Sequence, residues 1–418
     1  MERTRLQLLW ANLVMFLAVA GPGIITANVD NDTGGITTYS LAGAQFGFKL
    51  LWLLIPITLM LIVVQEISAR LGVVTGKGFA DLIRERFRVK VTAFVMVLLV
   101  FVNIGNILSE FAGIAAAAHL FGIAPFILVP LCALLIWFVV LKGNYSTLEK
   151  IFLVASLFYI SYILSGIFVH PHWDQVAQSV LLPAFDFSSA TLLMLVALIG
   201  TTIAPWMQFY LQASVVEKGT KAEDLKFVRW DVILGSITVS VVAAFIIITN
   251  ASTIFAAGQG SAIQTAEDAA RALAPLAGPL ASVLFAVGLF MAGFFSAAIL
   301  PLSTTYSVCE GFGWESGVNK KFKEAPQFYF LFTGLIVLGA SIILFVPANL
   351  LITVMFLSQA LNGLLLPLIL IIMYMLINDK KIMGSHVNDW KLNVLALATI
   401  VISIGANILF IASLLHLI

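Results

Sequence analysis

Gly21-Pro22-Gly23-Ile24-Ile25-Thr26-Ala27-Asn28-Val29-Asp30-Asn31-Asp32-Thr33-Gly34-Gly35 sits inside an otherwise apolar segment, residues 8–48. That segment is too long for one membrane crossing of about 20 residues and too short for two without a sharp turn. Asp30, Asp32, Gly34 and Gly35 fall near the depth where a spanning helix is most apolar. A charge at the bilayer centre costs about 2.5–3.5 kcal/mol on insertion scales. Glycines there loosen the helix and leave carbonyls without partners. A broken helix bearing an anion at the midplane is how transporters bind cations; the plainer reading is a short polar loop between two helices.

The rest of the chain favours a membrane. Hydrophobic residues make up 61% of it and charged residues 10%, against about 25% charged in a soluble domain. The net charge of +1 gives no footprint for nucleic acid. Cys132 and Cys309 lie in or beside apolar runs and read as small core residues rather than a disulfide or metal pair. The first apolar run has no small-residue cleavage site after it, so it reads as a retained helix rather than a signal peptide.

Eleven apolar segments follow one another, at about residues 8–46 (broken), 49–68, 91–120, 124–141, 151–169, 189–216, 230–250, 277–308, 327–346, 349–377 and 393–416. An amphipathic helix is expected over 79–87, and a partly helical outer loop within 251–274, supported by Glu267 and Arg271 at i,i+4. With the N-terminus in the cytoplasm, every one of the 22 Lys and Arg residues except Lys49 and Arg271 falls inside. The positive-inside rule therefore puts the C-terminus outside, at the cell membrane. Segments one to five and six to ten begin alike, each with an interrupted helix: Gly34-Gly35 in the first, Gly200 and Pro205 in the second. Paired interruptions point to an inverted repeat with a midplane site, although Pro205 alone also reads as an ordinary kink. The expected division is 1–170, 171–378 and an extra helix in 379–418.

Polar residues at membrane depth are the candidates for chemistry. Asp32 leads them, since a carboxylate with free carbonyls at a helix break suits a hard cation. Asp30, two residues earlier, would point away from it on a helix, yet could contribute in an unwound segment. Glu110, with Asn106 four residues before it, is the next intramembrane anion; it reads either as a site residue or as a structural carboxylate. Thr201, Thr202 and Gln208 flank the second break, and Gln359 and Asn362 interrupt the tenth segment, where amides commonly serve as packing glue. None of the five histidines lies at either break, and the first break has no Cys or Met. Oxygen-only sites suit magnesium, calcium or manganese. Met207, near the second break, is the one soft group nearby. The absence of a nucleophile–base pair in the helices argues against an enzyme.

At this point the chain resembles the Nramp family of divalent-metal transporters. The resemblance rests on Gly21-Pro22-Gly23, Ala42-Gly43-Ala44-Gln45-Phe46-Gly47, Ser68-Ala69-Arg70-Leu71-Gly72-Val73-Val74-Thr75-Gly76-Lys77, Ser109-Glu110-Phe111-Ala112-Gly113 and Glu310-Gly311-Phe312. It implies an all-α polytopic membrane protein with a LeuT-like fold: a 5+5 inverted repeat plus one, eleven transmembrane helices. It also implies a metal site of Asp32, the Val29 carbonyl, Gly35, Ala204, Glu110, Gln359 and Gln208, with no cofactor beyond the transported ion. The family's Asp-Pro-Gly-Asn is Asp32-Thr33-Gly34-Gly35 here, so its Asn ligand becomes Gly35. Its Met-Pro-His-Asn aligns with Ala204-Pro205-Trp206-Met207, replacing the Met ligand by Ala204 and the His by Trp206; a frame set from Tyr210 puts Gln208 at the Asn position instead. The helix 3 Asp becomes Ile107. This pattern is similar to the Nramp-related magnesium transporters. The expected function is import of Mg²⁺, with Mn²⁺ also accepted, as a partly hydrated ion with weak or no proton coupling. The competing expectations are a proton-coupled Mn²⁺/Fe²⁺ transporter and a metal-sensing receptor that binds without conducting.

Overall fold

The computed structural model of the chain describes residues 15, 16, 19–143, 145–258, 268 and 281–417. The outer-loop expectation around Glu267 and Arg271, the starts of the first and eighth segments, and the N-terminal arginines lie outside them. Among the described residues, ten helices are long and apolar enough to cross a membrane. The first expected span is not among them; it is divided into α1 (Pro22–Val29) and α2 (Thr33–Phe46), of 8 and 14 residues. The expected break is therefore present and falls at Asp30, Asn31 and Asp32.

The sequence explains both halves. Pro22 sits at the start of α1, where its missing N–H costs nothing. Asp32 caps α2, its side chain accepting from the Gly35 N–H at 2.6 Å. The second break repeats the device: α10 (Ser189–Thr202) stops, Ile203 and Ala204 leave helical geometry, and Pro205 opens α11 (Pro205–Glu217). Between the breaks run α3 (Leu54–Thr75), α4 (Phe79–Arg86), α5 (Val89–Leu120), α6 (Pro125–Lys142), α7 (Tyr145–Ser156), α8 (Ile160–Phe168) and α9 (Trp173–Leu181). After them come α12 (Leu225–Asn250), α13 (Ala281–Phe312), α14 (Pro326–Ile343), α15 (Leu351–Ile377), the four-residue α16 (Lys380–Met383) and α17 (Trp390–Leu414).

The expected helix over 79–87 is α4. The second span differs from expectation: α3 continues to Thr75 and ends on Gly76 in the left-handed conformation. Arg70 reads as a loop residue, yet it is buried in that helix. It pairs with Glu66 at 3.0 Å, donates to the His386 carbonyl at 2.7 Å and bonds Asn388. Arg229 reaches the other Glu66 oxygen at 2.9 Å. The short α9 in the connection before α10 has no counterpart in the sequence reading. Nearby, Lys49 pairs with Asp186, and that cation, with Ser188 and Thr191, holds the Asp186 carboxyl below the usual carboxylate range.

Burial sorts the helices into a core and a belt. In the span containing both α10 and α11, 83% of the most apolar window is buried, against 22% in α6. The belt presents Phe94, Phe101, Phe126, Phe138 and Val401 outward, the distribution expected where lipid is the solvent. In the core, α1 packs on α12, α2 on α12 and α15, α15 on α5 and α10, and α13 on α5. Both broken helices thus lie in the middle of the bundle.

Candidate functional site

The backbone at the first break is rerouted. In an unbroken helix the Thr33 N–H would bond the Val29 carbonyl; instead it turns to Glu110 Oε2 at 3.2 Å. The Gly35 N–H, whose helical acceptor would be the Asn31 carbonyl, turns to Asp32 Oδ1. Two carbonyls at the break thereby lose their helical donors. The Asp30 and Asn31 N–H groups close a tight turn on Ala27 and Asn28, each at 3.1 Å.

Glu110 approaches from α5. Its Oε2 also accepts the Thr33 hydroxyl at 3.1 Å, while that hydroxyl lies 2.8 Å from the Ser109 carbonyl. Its Oε1 is buried without a donor. The carboxyl groups of Glu110 and Asp32 are close enough to repel one another when both are charged. Two carboxylates this close in a dry interior need a proton or a cation between them. Thr33 fits because small residues surround it. A Cβ at Gly113 would lie 2.1 Å from its methyl group, and one at Gly293 3.0 Å from it. The Tyr159 hydroxyl, buried and unpartnered, is within the electrostatic reach of both carboxylates.

The other expected site residues are distributed as follows. Gln359 of α15 lies directly over Gly34, where a Cβ would come 1.9 Å from its Nε2. Its Oε1 accepts from Asn362, and Asn362 and Asn106 exchange two amide hydrogen bonds, each of 2.9 Å. That reciprocal pair ties α15 to α5, so for Asn106 and Asn362 the packing role is the one the structure displays. Gly35 contributes backbone: its Cα faces the Asp30 carbonyl and Thr201 Oγ1, and a Cβ there would lie 2.3 Å and 3.2 Å from them. Ala204 caps α11 in extended geometry and is 1% exposed. Gln208, with its amide nitrogen facing inward, donates to the carbonyls of Ala204 at 2.8 Å and Pro205 at 2.6 Å. It serves the second break, and the structure pairs it with neither Asp32 nor Glu110.

Several participants escaped the sequence reading. Asp231 of α12 accepts from the N–H groups of Gly21 (3.1 Å), Gly23 (2.6 Å) and Ile24 (3.3 Å), fixing the start of α1. Lys218 bonds the Ala20 carbonyl at 2.9 Å and Glu149 at 2.7 Å at the same end. An acid inside an apolar helix was a visible signal for Asp231; its partners, some 210 residues away in sequence, were not.

Two interrupted helices at the centre of a bundle, one supplying a carboxylate and freed carbonyls, define a secondary transporter of the LeuT-like class. Solved structures agree on the fold. The manganese transporter of Eremococcus coleocola superposes with a TM-score of 0.78 at 20% identity, covering 95% of this chain and 86% of that one. MhsT in complex with L-phenylalanine gives 0.61 at 16% identity, over 94% and 98% of the two chains. Mhp1, a nucleobase-cation-symport-1 family transporter, gives 0.57 at 15% identity, over 95% and 91%. The family model described as natural resistance-associated macrophage protein-like matches residues 23–413. The chain belongs to the Nramp family: it is a multi-pass membrane transporter of divalent metal ions, not an enzyme.

Proposed function

We propose that the protein imports Mg²⁺, with Mn²⁺ also accepted, as a partly hydrated ion and with little or no proton coupling. The observation that carries this reading is the donor set at the breaks. Where the resemblance expects a thioether and an amide stand Ala204, at 1% exposure, and Gly35, whose Cα has no room for a side chain. The groups left to meet an ion are oxygens: Asp32, Glu110 Oε1 and the Val29 carbonyl, with Gln359 alongside. Magnesium retains several waters and uses one or two carboxylates, and removing sulfur withdraws the advantage of softer metals. The N-terminus is taken as cytoplasmic and the C-terminus as extracellular, with access alternating between the repeats 1–170 and 171–378. The membrane potential alone then contributes about 4.6 kcal/mol per divalent ion at 100 mV.

The Asp32–Glu110 proximity favours a second reading, a proton-coupled Mn²⁺ carrier, because such a pair can hold one proton. Reconstitution separates the two. Mg²⁺ entry reported by a magnesium-sensitive dye, competed by Mn²⁺ and without lumenal acidification, is the expected result. Acidification driven by Mn²⁺ without Mg²⁺ entry would transfer the assignment to the second reading, and no flux of either ion would point to a sensor.

A further inference from the structure

We propose that Asp30 is a further ligand for the transported cation, joining Asp32 and Glu110 at the first break. The inference rests on the proposed divalent-ion transport and adds a residue to its site.

Asp30 is 1% exposed, and neither of its carboxylate oxygens has a hydrogen-bond partner. No other buried carboxylate among the described residues has both oxygens free. Among the other buried acids, Asp231 is satisfied by three backbone N–H groups and Glu66 by two arginines, while Glu310 leaves one oxygen, Oε2, unpartnered. No ion pair among the described residues includes Asp30.

Its neighbours offer oxygen. Gly35 sits between the Asp30 backbone carbonyl and Thr201 Oγ1, so α10 packs against the backbone of the break. Thr201 Oγ1 and Asn31 Oδ1 are both buried and unpartnered, while the Asn31 amide nitrogen is directed to the Val239 carbonyl at 3.4 Å. Tyr39, bonded to Thr202 at 2.8 Å, is within electrostatic reach of Asp30 and Asp32 alike. An acid without donors in a low-dielectric interior is strongly disfavoured unless a cation or proton joins it. A free carboxylate two residues from Asp32 is a donor suited to a hard cation, in contact directly or through water.

The test is Mg²⁺ uptake into proteoliposomes by wild type, Asp30→Asn, Asp30→Glu and Asp32→Asn, with the Mg²⁺-induced rise in Tm of each purified protein. Asp30→Asn preserves shape and removes the charge. The expected result is a KM for Mg²⁺ raised about tenfold or more and loss of the Tm rise, both partly restored in Asp30→Glu. A wild-type KM and Tm rise in Asp30→Asn would overturn the proposal and leave Asp30 a structural acid. Should Asp30→Asn misfold, Asp30→Ser, smaller and also uncharged, carries the same test: a KM raised about tenfold supports the proposal and an unchanged one overturns it. Asp32→Asn reports separately on the underlying reading. Flux retained there means that the Asp32 site itself is misassigned, and a wild type carrying no Mg²⁺ means that the proposed function fails.

Discussion

Glu110 takes the Thr33 N–H at 3.2 Å, the donor that a continuous helix would have given to Val29. A carboxylate on one helix thus unwinds another, and the same contact carries Glu110 to Asp32. Thr33 stands at the first helical position of α2, where the family pattern has proline and where proline is tolerated. Thr33→Pro removes both hydrogen bonds from Glu110 Oε2. The expected result is a folded protein destabilised by about 1–3 kcal/mol, with Mg²⁺ uptake reduced about tenfold, because Glu110 Oε2 is left buried without a donor. Uptake kinetics alongside a melting curve check it.

Asp32→Ala removes the carboxylate that stands at the break itself and caps α2. Divalent-ion uptake should fall to the background of empty liposomes, as measured by dye influx, with expression retained.

Selectivity should respond at Ala204 and not at Gly35. Ala204→Met restores a thioether at the second break, and the ratio of Mn²⁺ to Mg²⁺ transport should rise in a competition assay. Gly35→Asn is expected to lower stability by about 1–3 kcal/mol, because its Cβ would lie 2.3 Å from the Asp30 carbonyl. Denaturation in detergent measures that loss. A stable Gly35→Asn protein would contradict the packing described at the break.

Asp231 holds the start of α1 through three N–H groups. Asp231→Asn loses the charge-assisted component, about 2 kcal/mol, and should free α1 to swing. Ile25 on α1 lines a small cavity with Glu149, Tyr210, Glu217 and Tyr306. In an Ile25→Cys background, thiol labelling should accelerate several-fold when Asp231→Asn is added, against a low background because Cys132 and Cys309 are buried.

The crossing of α10 with α15 is backbone against backbone. A Cβ at Gly200 would lie 2.1 Å from the Gln359 carbonyl and 2.3 Å from the Gly363 nitrogen. Gly200→Ala should therefore cost about 1–3 kcal/mol, read as a lowered Tm, with transport impaired because Gln359 is displaced from Gly34.

The sequence by itself determined that the chain crosses a membrane many times and that its first helix breaks near residues 30–35; the structure narrows the break to residues 30–32 and puts Gly34 and Gly35, the expected interruption, inside α2. Hydropathy and the cost of a mid-membrane charge are local properties of a segment. The sequence also marked the second break, because Pro205 cannot continue the helix before it. Only the tertiary structure decided what each polar group does. Asn106 and Asn362, Glu110 and Thr33, and Asp231 and Gly21 meet across gaps of 256, 77 and 210 residues, and no periodicity within one helix encodes which donor faces which acceptor. Arg70 shows the same limit from the other side: its charge argues for a loop, and its partners on α3 and the segment before α17 turn it into a buried link. The role of Gly35 likewise became legible only with Asp30 and Thr201 beside it, because the space a side chain would need is set by atoms from another helix.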